Sequence, residues 1–173
     1  MSVDARNTAD EQIRRLMESY GTAMLRMCYL SLHDAMLAED AVQDSFLKAY
    51  QKWHTFRGEC SEKTWLMRIA INTCRDYQRR AWFRWQSRSV NVDQLVIPGG
   101  TPVDTYDDTV LKAVMALPPR EREVVLLRYY QEMRLQEISQ TLGIPEGTVT
   151  SRLNRARSKL RRQLEGWYFD EEL

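Results

Sequence analysis

The sequence is poor in cysteine, histidine, proline and glycine, and it has no long apolar run. Cys28, Cys60 and Cys74 stand apart with no Cys-x-x-Cys spacing, and His33 and His54 do not join them in a zinc-like pattern. No structural metal and no cofactor are therefore expected, and isolated thiols suit a reducing compartment. No N-terminal apolar core precedes a cleavage site, and no stretch reaches the roughly 18 apolar residues of a membrane span, so a cytoplasmic protein is expected. The chain also lacks internal repeats, alternating strand patterns and heptad arrays. It has no paired carboxylates with metal-ligand spacing, no phosphate-cradling glycine loop and no nucleophile with a partner base, so it is not expected to be an enzyme.

Neither sign of charge dominates. The 173 residues carry 25 Lys plus Arg against 24 Asp plus Glu, a net charge of +1, so the balance alone does not mark a nucleic-acid binder. The distribution does more. Lys63, Arg68, Arg75, Arg79, Arg80, Arg84 and Arg88 face only Asp76 in their stretch, and Arg134, Arg152, Arg155, Arg157, Lys159, Arg161 and Arg162 face only Glu137 and Glu146 in theirs. Acid collects elsewhere, in Glu39, Asp40 and Asp44, in Asp104, Asp107 and Asp108, and at Asp170, Glu171 and Glu172. Separate surfaces for a polyanion and for a basic partner follow from this segregation.

What is present is helical periodicity, and 43% hydrophobic residues suffice for packed cores. Thr8 with Glu11 resembles a capping box, followed by a stripe of Ile13, Met17, Tyr20, Met24 and Cys28. A second stripe runs Ala38, Val42, Phe46, Ala49, Trp53, with Glu39, Asp40, Gln43 and Asp44 on the opposite face. The stretch from Thr55 to Glu62 reads as a loop, and Ser61 as the N-cap of a third helix carrying Trp65, Ile69, Thr73 and Tyr77. Trp53 and Trp65 continue apolar stripes and are expected in the core. Periodicity lapses from Ser89 to Thr105, where Pro98, Gly99, Gly100, Thr101 and Pro102 break any helix, and resumes with Val110, Val114 and Leu117. Pro119 suits a first helical turn, and Val124, Leu127 and Tyr130 follow it. The expected architecture is all-α: two small helical domains, 1–88 and 106–173, joined by a flexible linker at 89–105.

The most informative segment is Leu135 to Arg162. Leu135, Ile138 and Leu142 make a short amphipathic helix, Gly143 permits a tight turn, and Pro145 opens a second helix with Val149, Leu153, Ala156 and Leu160 inward. This is a helix-turn-helix. Opposite the inner stripe lie Ser151, Asn154, Arg155, Ser158 and Arg162, flanked by Thr150, Arg152, Arg157 and Lys159, a face that is polar, basic and free of carboxylates. Such a helix carries hydrogen-bonding tips for base edges and cations for phosphates.

Leu117-Pro118-Pro119-Arg120-Glu121-Arg122, Gln136-Glu137-Ile138, Leu142-Gly143-Ile144-Pro145 and Gly147-Thr148-Val149-Thr150-Ser151-Arg152 resemble region four of extracytoplasmic-function sigma factors. Ala38-Glu39-Asp40-Ala41-Val42-Gln43-Asp44-Ser45-Phe46 resembles region two of the same family, as does Thr64-Trp65-Leu66 with Ile69-Ala70 and Asn72. The resemblance implies an alternative sigma factor that binds core RNA polymerase, recognises minus-35 and minus-10 promoter elements and helps to melt DNA for a stress or envelope regulon. It also implies an anti-sigma factor as a partner, and no small-molecule substrate. By the same resemblance Glu39, Asp40, Gln43 and Asp44 dock on core polymerase. Phe56, Arg57, Gly58, Glu59 and Asn72 would hold the melted minus-10 strand, with Lys63, Arg68, Arg75, Arg79 and Arg80 on its phosphates. Thr148, Thr150, Ser151, Asn154 and Arg155 would meet the minus-35 element, with Arg152, Arg157 and Lys159 as phosphate contacts. Trp82-Phe83-Arg84-Trp85 departs from the family pattern; stacking on single-stranded DNA, packing at the end of the bundle and packing at an interdomain surface all remain open. Rival readings are a conventional helix-turn-helix regulator and a recombinase-like enzyme with such a tail.

Overall fold

The computed structural model describes the backbone of residues 3–85 and 108–170 and the side chains of 9–80 and 109–165. These residues form α1 (Val3–Leu32), α2 (Ala35–Lys52), α3 (Glu62–Trp85), α4 (Asp108–Met115), α5 (Pro119–Val125), α6 (Leu135–Leu142) and α7 (Glu146–Asp170), and no strand occurs among them. The chain divides into two compact units, one holding α1 to α3 and the other α4 to α7. The expected linker at 89–105 lies outside the described residues, as do the side chains of Trp82, Phe83 and Trp85.

In the first unit the three helices pack pairwise on one another. Asp34 caps α2, its Oδ1 accepting from the Leu37 backbone N–H at 2.9 Å. Ser61 caps α3 in the same way, with Thr64 N–H donating to its Oγ at 3.1 Å. Ala38, Ala41, Ala49 and Ala70 are fully buried, and such small side chains let the helix axes approach closely. Leu16, Met24, Met27, Leu30, Leu66, Met67 and Ile71 fill the remaining volume.

Three expectations need correction here. Thr8 does not begin a helix, because α1 already runs from Val3; a capping-box pattern permits a start without compelling one. Ile13, Met24 and Cys28 of the expected stripe on α1 are buried, but its buried face also takes in Leu16 and Met27, while Met17 is 51% exposed and Tyr20 only half-buried. On α3 the core face is Leu66, Met67, Ala70, Ile71, Thr73 and Cys74, and Trp65, Ile69 and Tyr77 form its half-buried edge. In both helices the apolar arc is wide, and a one-residue stripe picks out its rim as readily as its centre.

In the second unit Leu117 is buried and Pro118 is extended (φ −53°, ψ 143°), which ends the α4 segment; Pro119 then enters α5 at its first turn. Helix α5 widens into a π-helical segment, Leu126–Tyr130. Gly143 adopts φ 66° after α6, a left-handed conformation that favours glycine. Ser139 Oγ donates to Ile144 O across this turn at 2.6 Å. Helix α7 begins at Glu146, one residue later than expected, because Pro145 supplies the carbonyl that accepts from Thr148 N–H (2.9 Å) and Val149 N–H (3.1 Å). Val149, Leu153 and Ala156 are buried as the inner stripe requires, and Leu160 is half-buried.

Candidate nucleic-acid interface

Helix α7 turns Thr150, Ser151, Asn154, Arg155, Arg157, Ser158 and Arg162 to solvent, while Thr148, Arg152 and Lys159 are half-buried along its edge. The short side chains are parked on the helix itself: Thr150 Oγ1 donates to Glu146 O and Ser151 Oγ to Thr148 O, each at 3.0 Å. Arg155 folds back over one turn, its Nε donating to Ser151 O at 3.3 Å. These weak local bonds are exchangeable for base-edge contacts at little cost.

Lys159 stands apart from the other cations. Its Nζ lies 2.9 Å from the carboxylate of Glu121, whose side chain is only 10% exposed, so it ties α7 to α5. The sequence signal was the Arg-Glu-Arg run after the two prolines, where Glu121, Arg122 and Glu123 are all buried. Arg122 donates through Nη2 to Leu117 O at 2.9 Å, and burial pulls its guanidinium below its ordinary range. That run braces the fold beneath the recognition helix.

A second concave feature lies in the first unit, where the loop between α2 and α3 meets the start of α3. Thr55, Phe56, Arg57, Glu59, Cys60, Trp65 and Arg68 line a cleft of about 390 Å³. Trp53, Phe56 and Trp65 form one aromatic cluster beside it, with ring centroids 5.2 to 5.8 Å apart. Trp53 and Trp65, expected in the core, are instead half-buried, and Trp65 faces the cleft. Gly58 sits at φ 74° in the same loop, a left-handed turn that a side chain would strain. Thr55 and Cys60 lie in the loop that the resemblance assigned to the minus-10 element but were not singled out within it, and Trp65 was expected in the core, since only the folded loop brings the three together.

From Arg68 a stripe continues along α3 through Asn72, Arg75 and Arg79, at steps of four, three and four. Asn72 Oδ1 accepts from Arg75 Nη1 at 3.4 Å, Arg79 pairs with Asp76, and Arg80 lies over the Tyr77 ring at 6.0 Å. Lys63 is half-buried in the first turn of α3, outside the cleft lining. Among the described residues no group of His, Cys, Asp and Glu is arranged to hold a metal ion, and no helix is long and apolar enough to cross a membrane.

On α2, Glu39, Asp40 and Gln43 are exposed and Asp44 is half-buried. Met36 (78% exposed) and Leu47 (55%) flank them on the same face, a spacing of four, three and four from Met36 through Asp40 and Gln43 to Leu47. The sequence reading missed these two apolar ends. Asp44 also has an internal partner, the Tyr77 hydroxyl, which donates to its Oδ2 at 2.8 Å. Burial first, and then this bond and the charges of Asp44 and Asp40, push the Tyr77 phenol up to about 12.

Comparison with known proteins accounts for both units. The Sigma-70 region 2 family matches residues 16–84 and the Sigma-70 region 4 family matches residues 107–160. The chain is 32% identical over 162 residues to the ECF RNA polymerase sigma factor SigW of Bacillus subtilis, covering 86% of this chain and 87% of that one. It is 31% identical over 150 residues to the ECF sigma factor SigM of Mycobacterium tuberculosis, covering 87% of this chain and 76% of that one. The fold is similar to that of the sigma factor RpoE of Bartonella quintana, solved in complex with the anti-sigma factor NepR, with a TM-score of 0.78 at 23% identity, covering 90% and 98% of the two chains. The chain therefore belongs to the extracytoplasmic-function family of RNA polymerase sigma factors. It is an alternative sigma factor, a factor of transcription initiation.

Proposed function

We propose that this sigma factor docks on core RNA polymerase through α2, reads the minus-35 element with α7, and captures an unstacked base of the melted minus-10 element in the cleft at the start of α3. The carrying observation is that cleft: aromatic faces of Phe56 and Trp65 beside the cations Arg57 and Arg68, the combination that binds a flipped base and its phosphates. Gly58 shapes the loop, Glu59 offers an acceptor to a base edge, and Lys63, Asn72, Arg75, Arg79 and Arg80 continue the path of the strand. On α2 the carboxylates of Glu39, Asp40 and Asp44, with Gln43, orient a basic partner surface, and Met36 and Leu47 supply apolar contact at each end. On α7, Thr148, Thr150, Ser151, Asn154 and Arg155 read bases while Arg152 and Arg157 hold phosphates; Lys159 is already committed to Glu121.

The proposal extends to a cytoplasmic protein held by an anti-sigma factor and released to transcribe a stress or envelope regulon. Transcription with core polymerase on a promoter library tests it. The expected result is initiation at a fixed distance from paired minus-35 and minus-10 elements. Duplex binding without any transcript would instead point to a conventional helix-turn-helix regulator.

A further inference from the structure

The seam between α2 and α3 carries its own polar ties, as the seam between α1 and α3 does through Arg15 with Glu62 and Gln78 with Ser31. Tyr77 Oη donates to Asp44 Oδ2 at 2.8 Å, and Lys48 Nζ donates to Thr73 Oγ1 at 3.0 Å and lies 3.7 Å from Asp76. Tyr77 therefore touches both surfaces assigned above. Its hydroxyl reaches a carboxylate on the face of α2, and its ring lies beneath Arg80, 6.0 Å from the guanidinium carbon to the centroid.

We infer that Tyr77 is a positioning residue, which orients the Asp44 carboxylate for docking on core polymerase and seats Arg80 on its ring for the DNA strand. The inference rests on the docking role proposed for α2. A half-buried carboxylate with several rotamers loses freedom on docking, and a fixed donor on one oxygen removes that cost in advance, leaving the other oxygen for a cation of the partner. The ring acts separately: a cation over a tyrosine face keeps its hydrogen-bonding edge available to phosphate.

The two halves of the residue are separable by substitution. Tyr77→Phe keeps the ring and removes the donor; Tyr77→Leu removes both. Affinity of the full chain for core polymerase would be measured by competition, and binding of the reconstituted holoenzyme to a premelted promoter would be measured in parallel. Tyr77→Phe is expected to weaken core affinity about tenfold, the scale of one hydrogen bond to a charged group, with premelted-promoter binding unchanged. Asp44→Asn should weaken it similarly, and the double variant should be no worse than Asp44→Asn alone, a coupling that general loosening of the bundle would not produce. Tyr77→Leu should add a severalfold loss on the premelted promoter. Wild-type core affinity in Tyr77→Phe, while Asp40→Lys with Asp44→Lys loses core binding, overturns the positioning role and leaves docking in place. If that charge-reversed variant also binds core normally, both the docking role and this inference fail together.

Discussion

The two units bury different kinds of side chain. Among the described residues, the polar groups buried in the first unit are hydroxyls, Ser31, Ser45, Thr64 and Thr73, whereas the second buries Glu121, Arg122, Glu123, Gln131 and Thr141. The first unit has long helices whose hydroxyls are satisfied locally, as when Ser45 Oγ donates to Ala41 O at 2.6 Å and Thr73 Oγ1 to Ile69 O at 2.9 Å. The second has short α4, α5 and α6, too little helix to enclose a large apolar core, and it buries charged side chains, of which Glu121 ties α5 to Lys159 of α7. Apolar packing fills the first unit's core and leaves its ion pairs, Arg15 with Glu62 and Lys48 with Asp76, at partly exposed seams; the second sets Lys159 of the recognition helix against a nearly buried carboxylate, Glu121.

The largest effect that sharpens this contrast is in the first unit's core. Leu66→Ala should cost on the order of 2 to 5 kcal/mol, since Leu66 is fully buried and the cavity cannot collapse against helices on both sides. Chemical denaturation followed by circular dichroism would show it; a loss below about 1 kcal/mol would mean that the bundle repacks freely.

Next is Asp40→Lys combined with Asp44→Lys, expected to weaken holoenzyme assembly on the order of a hundredfold. Asp40 is exposed and Asp44 half-buried, so the fold should survive, and a pull-down with core polymerase reads the result. Unchanged capture would remove α2 from the docking surface.

In the second unit the contrast predicts that two cations of one helix behave differently. Lys159→Ala should destabilise the unit by about 1 to 3 kcal/mol, because it strands the nearly buried Glu121 carboxylate, and should leave the salt dependence of DNA binding unchanged. Arg157→Ala should leave stability alone and lower the salt slope by about 0.9, one released phosphate contact. Thermal melting and binding at several salt concentrations separate the two; a reduced slope for Lys159→Ala would return that residue to the DNA surface.

The smallest effect is alkaline. The Tyr77 phenol is raised from its ordinary value to about 12, so its contribution to stability is fully present below about pH 10 and is lost as pH rises through about 12. Ultraviolet titration should find a tyrosine ionising late in the wild type that is missing in Tyr77→Phe.

Much of this was legible in the sequence. The helix-turn-helix was readable because Gly143 and the spacing of Ile138, Leu142, Val149, Leu153 and Ala156 are local properties, set within a few turns. The acidic face of α2 was readable for the same reason. Wide apolar arcs blurred the register of α1 and α3, so Met17 and Tyr77 read as core positions and Leu16 and Leu66 did not. The cleft depends on Thr55, Cys60 and Trp65 converging through a turned loop, which no periodicity encodes. The Lys159 to Glu121 pair joins residues 38 apart in the chain, and a basic helix face looks the same in sequence whether or not one of its cations is already paired.

The division of labour between the units is tested most directly by transcription from one promoter supplied both as closed duplex and with its minus-10 region premelted. Trp65→Ala, together with Phe56→Ala, removes the aromatic wall of the cleft; Arg155→Ala removes a base-reading tip, at about 1 to 3 kcal/mol of minus-35 discrimination. The cleft variant should fail on the duplex and recover in part on the premelted template, while Arg155→Ala should show the same defect on both. Equal loss on both templates for the cleft variant, or rescue of Arg155→Ala by premelting, would contradict the assignment of strand capture to the first unit and duplex reading to the second.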